Sequence, residues 1–371
     1  MMAPFGPDIL PAGIRARMVP DVNGLTVHLL EAGEPGHPCV LLLHGFPELA
    51  WSWRKVMPGL AQAGYRVLAP DLRGYGRTTG WDAAYDTDLT PFGLCNEVLD
   101  MLCLLARLDI PHVRAVVGHD YGASVAAWCA LTRPDIFRSM TIMSAPFGGP
   151  PDVTAPAVPD PAIHRALSLL DRPRKHYHWY YSTREANADM WHCRQGVHDF
   201  LRAYYHHKSG DWAPNKPFRL AGWTAEALAR MPTYYIMDHD RTMAETVAPE
   251  MPTPSEIEAN TWLTEAELRI YSSEYQRTGF QGGLQHYRVR TAGVGLAELK
   301  LFAGRTIDQK SMFVAGRSDW GIYQAPGAIE RMQEVVCPSM TGVHLLDGAG
   351  HWVQQEKAAE VTALLVDFLK G

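Results

Sequence analysis

Apolar residues along the chain fall into two kinds of stretch that alternate. Short, mostly apolar runs occupy Pro38–Leu43, Tyr65–Pro70, Val113–Val117, Ser139–Met143, Lys310–Ala315 and Gly342–Leu346, the first of them continuously apolar as in a parallel strand covered on both faces. Longer stretches with apolar residues at helical spacing lie between or after them. Trp53–Ala63 ends at Gly64, a helix-stopping residue. Pro91–Leu108 carries Phe92, Leu94, Val98, Leu99, Met101, Leu102 and Leu105, a small-residue run spans Ala123–Ala130, and Ala358–Leu369 closes the chain. Ahead of them, Asp21–Glu31 alternates around Asn23-Gly24 and predicts an opening β-hairpin strand. Strand–helix alternation of this kind predicts an α/β fold: a mostly parallel sheet with helices on both faces.

The alternation stops near Phe147, where Gly148-Gly149-Pro150-Pro151 and a Pro-rich run to Pro161 mark a boundary. Helical patterns then dominate to about residue 300, with no clear buried strand, and ten of the fifteen tyrosines fall in this segment. The predicted organisation is therefore a core in two parts, 1–148 and 301–371, with a helical lid at 149–300. Inserted after the strand that follows Val113–Val117, such a lid sits over the carboxyl ends of the strands, where α/β sheets bind ligands.

Composition narrows the picture. The 371 residues are 47% apolar and 20% charged, enough for a large core, and the net charge of −6 gives no basic footprint for nucleic acid or an anionic membrane. Met1–Pro20 has no apolar segment of a signal peptide, and no run has the ~18 apolar residues of a membrane helix. Six scattered cysteines without C-x-x-C spacing read as buried, reduced thiols of a cytoplasmic protein. His176, His178, His206 and His207 lack any H-E-x-x-H-like pattern, so no metal is expected, and no cofactor.

The candidate chemistry sits at strand ends. Val113–Val117, Gly118-His119-Asp120-Tyr121-Gly122 and the small-residue helix have the layout of a nucleophile elbow, in which a sharp turn exposes the middle side chain. An isolated G-x-D-x-G is more often an ordinary acidic N-cap, so the rest of the chain has to decide. Asp319 lies just past the strand Lys310–Ala315, and His351 just past Gly342–Leu346. Nucleophile, acid, histidine is the chain order of the α/β-hydrolase triad. Asp308 precedes its strand and falls on the wrong sheet edge, while Asp347 is only four residues from His351 and is better suited to ordering that loop. His344 lies within a strand, and His119 is pointed away from the nucleophile by strand alternation. In His44-Gly45-Phe46-Pro47, the N–H of Phe46 with that of Tyr121 would form an oxyanion hole, His44 would brace the loop, and Phe46–Pro47 is a candidate cis bond.

At these residues the chain resembles the α/β-hydrolase-fold epoxide hydrolases, over about residues 22 to 369. The likeness rests on His44-Gly-Phe-Pro-Glu-Leu, Trp51-Ser-Trp-Arg54, Asp71-Leu-Arg-Gly-Tyr-Gly76, Gly118-His-Asp-Tyr-Gly-Ala123, Arg277-Thr-Gly-Phe-Gln-Gly-Gly-Leu-Gln-His-Tyr287 and Gly350-His351-Trp352. It implies an epoxide-to-vicinal-diol hydrolysis in which Asp120 forms an alkyl ester, and water activated by His351, with Asp319 behind it, hydrolyses that ester. It also implies two lid tyrosines that protonate the epoxide oxygen. Tyr287 is one, and Tyr177 is the candidate for the other, with Tyr180 second. Phe46, Pro47, Tyr121, Tyr180 and Trp320 would line the substrate site. The implied substrate is a small apolar epoxide plus water, and a homodimer stays open. Segment 208–260 is longer than the pattern requires, which touches substrate range rather than chemistry. A haloalkane or haloacetate dehalogenase shares the Asp nucleophile, but usually has Trp or Arg, respectively, where Tyr121 stands. A ligand-binding protein without turnover on the same scaffold is a further alternative.

Overall fold

The computed structural model describes residues 2–156, 158 and 161–370. Of the expected boundary run, residues 157, 159 and 160 lie outside these. Among the described residues ten strands follow in chain order: β1 (Ile14–Val22), β2 (Leu25–Ala32), β3 (Cys39–Leu43), β4 (Arg66–Pro70), β5 (Ala115–His119), β6 (Met140–Met143), β7 (Arg174–His176), β8 (Ile236–Asp238), β9 (Ser311–Gly316) and β10 (Met340–Leu346). Eight form one sheet in the order β1-β2-β4-β3-β5-β6-β9-β10. The β1–β2 and β2–β4 pairings are antiparallel, and all pairings from β4 to β10 are parallel.

Every residue of β3, β4, β5, β6 and β9 is buried, because helices cover both faces; their mostly apolar composition follows from that. The edge strand β10 is only half-buried. The β1–β2 hairpin turns at Asn23 and Gly24, both at positive φ (48° and 79°), the twist that a two-residue hairpin loop requires. The hairpin begins at Ile14 rather than Asp21. Most of β1 interleaves buried with exposed positions, including Arg15 and Arg17, and so escapes an apolar-run criterion.

Strands β6 and β9 are direct neighbours, with Met140 opposite Ser311, so the chain leaves the sheet and returns beside its point of departure. The intervening helices include Gly196–Lys208, Glu265–Thr278 and Gln281–Ala292. Thr264 and Glu267 start the second with reciprocal capping bonds. The expectation of no buried strand in this segment is corrected by the antiparallel pair β7–β8, in which Ile236 and Met237 are fully buried. Strands of three residues are too short to display a period.

Polar bonds fix these helices to the sheet. The buried Arg54 guanidinium donates to Glu267 at 2.9 Å, Gln355 at 2.8 Å and the Trp262 carbonyl at 3.1 Å. Tyr205 Oη donates to the Pro47 carbonyl at 2.9 Å, and Tyr275 Oη to that of Glu48 at 3.1 Å. All six thiols are free; Cys39, Cys129 and Cys337 are buried, whereas Cys95, Cys103 and Cys193 are only partly covered, against the expectation for all six. Among the described residues no helix is long and apolar enough to cross a membrane.

Candidate active site

Strand β5 ends at His119, and the helix Tyr121–Thr132 starts two residues later. Asp120 makes the turn at φ 51°, ψ −116°, a conformation costing a non-glycine residue ~1–3 kcal/mol. Two glycines allow the strand and helix to touch there. A Cβ on Gly118 would lie 2.0 Å from the Gly122 carbonyl oxygen, and one on Gly122 would lie 2.3 Å from that of Leu43. The turn lifts the Asp120 carboxylate to the carboxyl edge of the sheet, between the loops that follow β3, β9 and β10.

Those loops supply its partners. Phe46 N–H donates to Asp120 Oδ1 at 3.0 Å, and the Phe46–Pro47 bond is cis. Tyr121 opens its helix, so its N–H has no intrahelical acceptor and is available to an oxyanion beside Asp120. His351 Nε2 stands 3.3 Å from Asp120 Oδ2 without hydrogen-bond alignment. Its Nδ1 lies 3.2 and 3.3 Å from the two Asp319 oxygens, and Asp319 Oδ1 also accepts the Gly321 N–H at 2.7 Å. Burial pushes the Asp120 and Asp319 carboxyls up, but His351 beside each outweighs it, and both are held below the usual carboxylate range. His44 braces the loop, accepting the Leu72 N–H at 3.1 Å; Asp347 binds Arg317, and Asp308 binds Thr306.

Tyr177 and Tyr287 meet from opposite ends of the inserted helices, with ring centroids 5.8 Å apart. Tyr287 also packs edge-on against Phe46. Burial first, then the Asp120 carboxylate, pushes both phenols well above 10, so both stay protonated at neutral pH. Tyr177 Oη donates to Gln324 at 3.2 Å. Tyr180 directs its hydroxyl to Asp189 at 3.1 Å, and its ring receives Lys175. Trp320 is buried beside Asp319 and packs on Phe218, with its indole N–H unpartnered. Pro47 serves through its carbonyl, bound by Tyr205.

The alpha/beta hydrolase fold family model matches residues 38–251. Epoxide hydrolase A of Mycobacterium tuberculosis is 34% identical over 363 residues, 95% of this chain and 96% of that protein. The chain belongs to the epoxide hydrolase family. A solved epoxide hydrolase from an endophytic Streptomyces superposes with a TM-score of 0.78 at 31% identity, covering 97% of this chain and 96% of that one. Epoxide Hydrolase A from Mycobacterium thermoresistibile does so at 0.75 and 30%, covering 96% and 98%.

Around this epoxide hydrolase site lies a buried polar layer absent from the sequence-based reading. Glu48 Oε2 accepts the Gly45 N–H at 3.1 Å and faces His119 Nδ1 at 2.5 Å, while Oε1 accepts from Gln354 at 2.8 Å and Gln355 at 3.0 Å. His119 Nε2 and Ser144 Oγ both donate to the His351 carbonyl, at 2.7 and 2.9 Å. Both His119 nitrogens thus face acceptors, and the ring is an imidazolium paired with the Glu48 carboxylate. The only sequence signals were Glu48 directly after His44–Pro47 and His119 directly before the nucleophile. Among the described residues no group of three or more His, Cys, Asp or Glu is placed to hold a metal.

Proposed function

We propose that this chain hydrolyses epoxides to vicinal diols through an ester on Asp120, and that residues 149–300 form the lid of the reaction site. The observation that carries the reading is a carboxylate 3.3 Å from an imidazole and held by the Phe46 amide, with Tyr287 packed on that Phe46 ring and Tyr177 packed on Tyr287. Asp120 Oδ2 attacks a ring carbon while Tyr177 and Tyr287 hold the epoxide oxygen. One phenol gives its proton as the C–O bond breaks, because a free alkoxide is too basic a leaving group at neutral pH. His351, oriented by Asp319, then takes a proton from water as that water attacks the ester carbonyl. The tetrahedral oxyanion lies on the Phe46 and Tyr121 amides, each such donor contributing ~10²–10³ in rate. Collapse releases the diol and the Asp120 carboxylate, and the proton held by His351 is returned so that the tyrosinate becomes a phenol again.

Phe46, Tyr181 and Trp320 favour a small substrate with an apolar body. Six free thiols support a reducing, cytoplasmic setting. A panel of terminal, cyclic and aryl epoxides with a haloalkane tests the reaction class. Diol release is the expected outcome; halide release without diol would assign the Asp nucleophile to dehalogenation, and binding without turnover would make the chain a ligand carrier.

A further inference from the structure

Lys208 ends the helix Gly196–Lys208 and is 3% exposed. Its carbonyl accepts the His351 N–H at 2.9 Å, so its side chain departs from beside the loop of the hydrolytic base. The ammonium lies among four rings, 4.9 Å from the centroid of Tyr235, 5.3 Å from Tyr204, 5.4 Å from Trp352 and 5.8 Å from Tyr234. Among the described residues no carboxylate pairs with it and no acceptor takes its hydrogens. Ring faces attract a cation but supply no lone pair, so the rings do not satisfy its three N–H donors.

Beside it, Tyr235 is 1% exposed and its hydroxyl has no partner. Tyr235 is tied to the proposed proton donor: its carbonyl accepts the Tyr177 N–H at 2.9 Å and the two ring centroids are 5.1 Å apart. Burial, then Asp319, pushes its phenol well above 10, which leaves it a donor. The neighbouring acids are committed elsewhere. Asp120 faces Phe46 and His351, Asp319 holds Gly321 and His351, and Glu356 takes the amides of Gly210, Gly350 and Trp352. Burial raises the Asp120 and Asp319 carboxyls and His351 lowers them; Lys208 lowers both further, which places its charge in their neighbourhood. A ring-lined cation with no carboxylate partner, beside a buried hydroxyl with no partner, suits an anionic acceptor that the protein does not supply.

We infer that Lys208, with Tyr235 beside it, is an anion-accepting corner of the substrate site, and that the preferred epoxides carry a carboxylate a few bonds from the ring. This rests on the epoxide hydrolase reading. The apolar body of such a substrate lies against Phe46 and Tyr181, and its carboxylate meets the ammonium, which offsets repulsion by Asp120.

The test compares kcat/KM for three epoxides of one skeleton, ending in a carboxylate, a primary amide or a methyl group. The wild-type protein is expected to favour the carboxylate over the amide by about tenfold or more, the scale of a charge-assisted hydrogen bond. Lys208→Met should lower that ratio by about tenfold, Lys208→Arg should retain part of it, and Tyr235→Phe should lower it less. A ratio, unlike a rate, is not moved by general structural damage. Should Lys208→Met not fold, inhibition of the wild-type protein by a short unreactive carboxylate and by its amide gives the same comparison, with the carboxylate expected to bind more tightly. Equal turnover of all three epoxides, an unchanged ratio in Lys208→Met, or an equally potent amide inhibitor overturns the inference alone. Turnover of none of them overturns the hydrolase reading as well.

Discussion

His119 donates from Nε2 to the main-chain carbonyl of His351 at 2.7 Å, so the residue before the nucleophile holds the loop of the base. Its other nitrogen faces Glu48, which also takes the Gly45 amide of the proposed oxyanion loop. One buried ion pair thereby fixes three loops against each other.

Glu48→Gln should destabilise the protein by ~3 kcal/mol or more, because it leaves a buried imidazolium uncompensated. Denaturant unfolding at pH 7 measures this. The sign with pH follows from the two directions. Burial raises the Glu48 carboxyl, but His119 and the Gly45 amide bring it below normal, so its contribution is present above the unfolded value of ~4.3 and is lost as pH falls through the depressed one. Burial lowers His119, but Glu48 raises it above normal; its contribution is full below ~6.5 and is lost as pH rises through the raised value. The difference between wild-type protein and variant should therefore be largest between these limits and shrink on either side.

Alkylation needs Asp120 ionised and a tyrosine protonated. The first is held below the carboxylate range and the second well above 10, so the single-turnover alkylation rate should be flat from about pH 5 to about pH 9. Stopped-flow quenching of tryptophan fluorescence on mixing with epoxide reads this step. A fall centred near neutral pH would show that another group controls it.

Gly45 packs against the nucleophile: a Cβ there would lie 2.4 Å from that of Asp120. Gly45→Ala should displace the carboxylate and slow alkylation by ~10² or more, the penalty for misplacing a reacting group by about 1 Å. Near-wild-type alkylation in a folded variant would contradict this placement.

Tyr287→Phe should slow alkylation by at least ~10², the lower range for a general acid, while leaving ester hydrolysis less affected. Tyr180→Phe, whose hydroxyl is bound to Asp189, should slow it far less. The pair of variants, measured under single turnover, separates a phenol that gives its proton to the epoxide from one committed to Asp189.

The sheet was legible where burial on both faces writes a mostly apolar run, as in β3 to β6 and β9. It was not legible in β1, where exposed arginines interrupt the run, or in β7 and β8, where three residues carry no period. Asp120, Asp319 and His351 were readable because each follows a strand end in a fixed chain order, and the structure brings the three together. Glu48, His119 and Lys208 were not, because burial of a charged side chain depends on elements distant in sequence. Tyr180 stood second to Tyr177 in the motif spacing, and sequence alone does not show that its hydroxyl meets Asp189.

The covalent role of Asp120 is tested most directly by one turnover of epoxide in ¹⁸O-labelled water, followed by mass analysis of the diol and of the peptide containing Asp120. Attack of water on the ester carbonyl predicts label in the Asp120 carboxylate and an unlabelled first diol, whose new oxygen comes from the protein. Label in the first diol with none in Asp120 would mean that water attacks the epoxide directly, and the ester mechanism would be wrong.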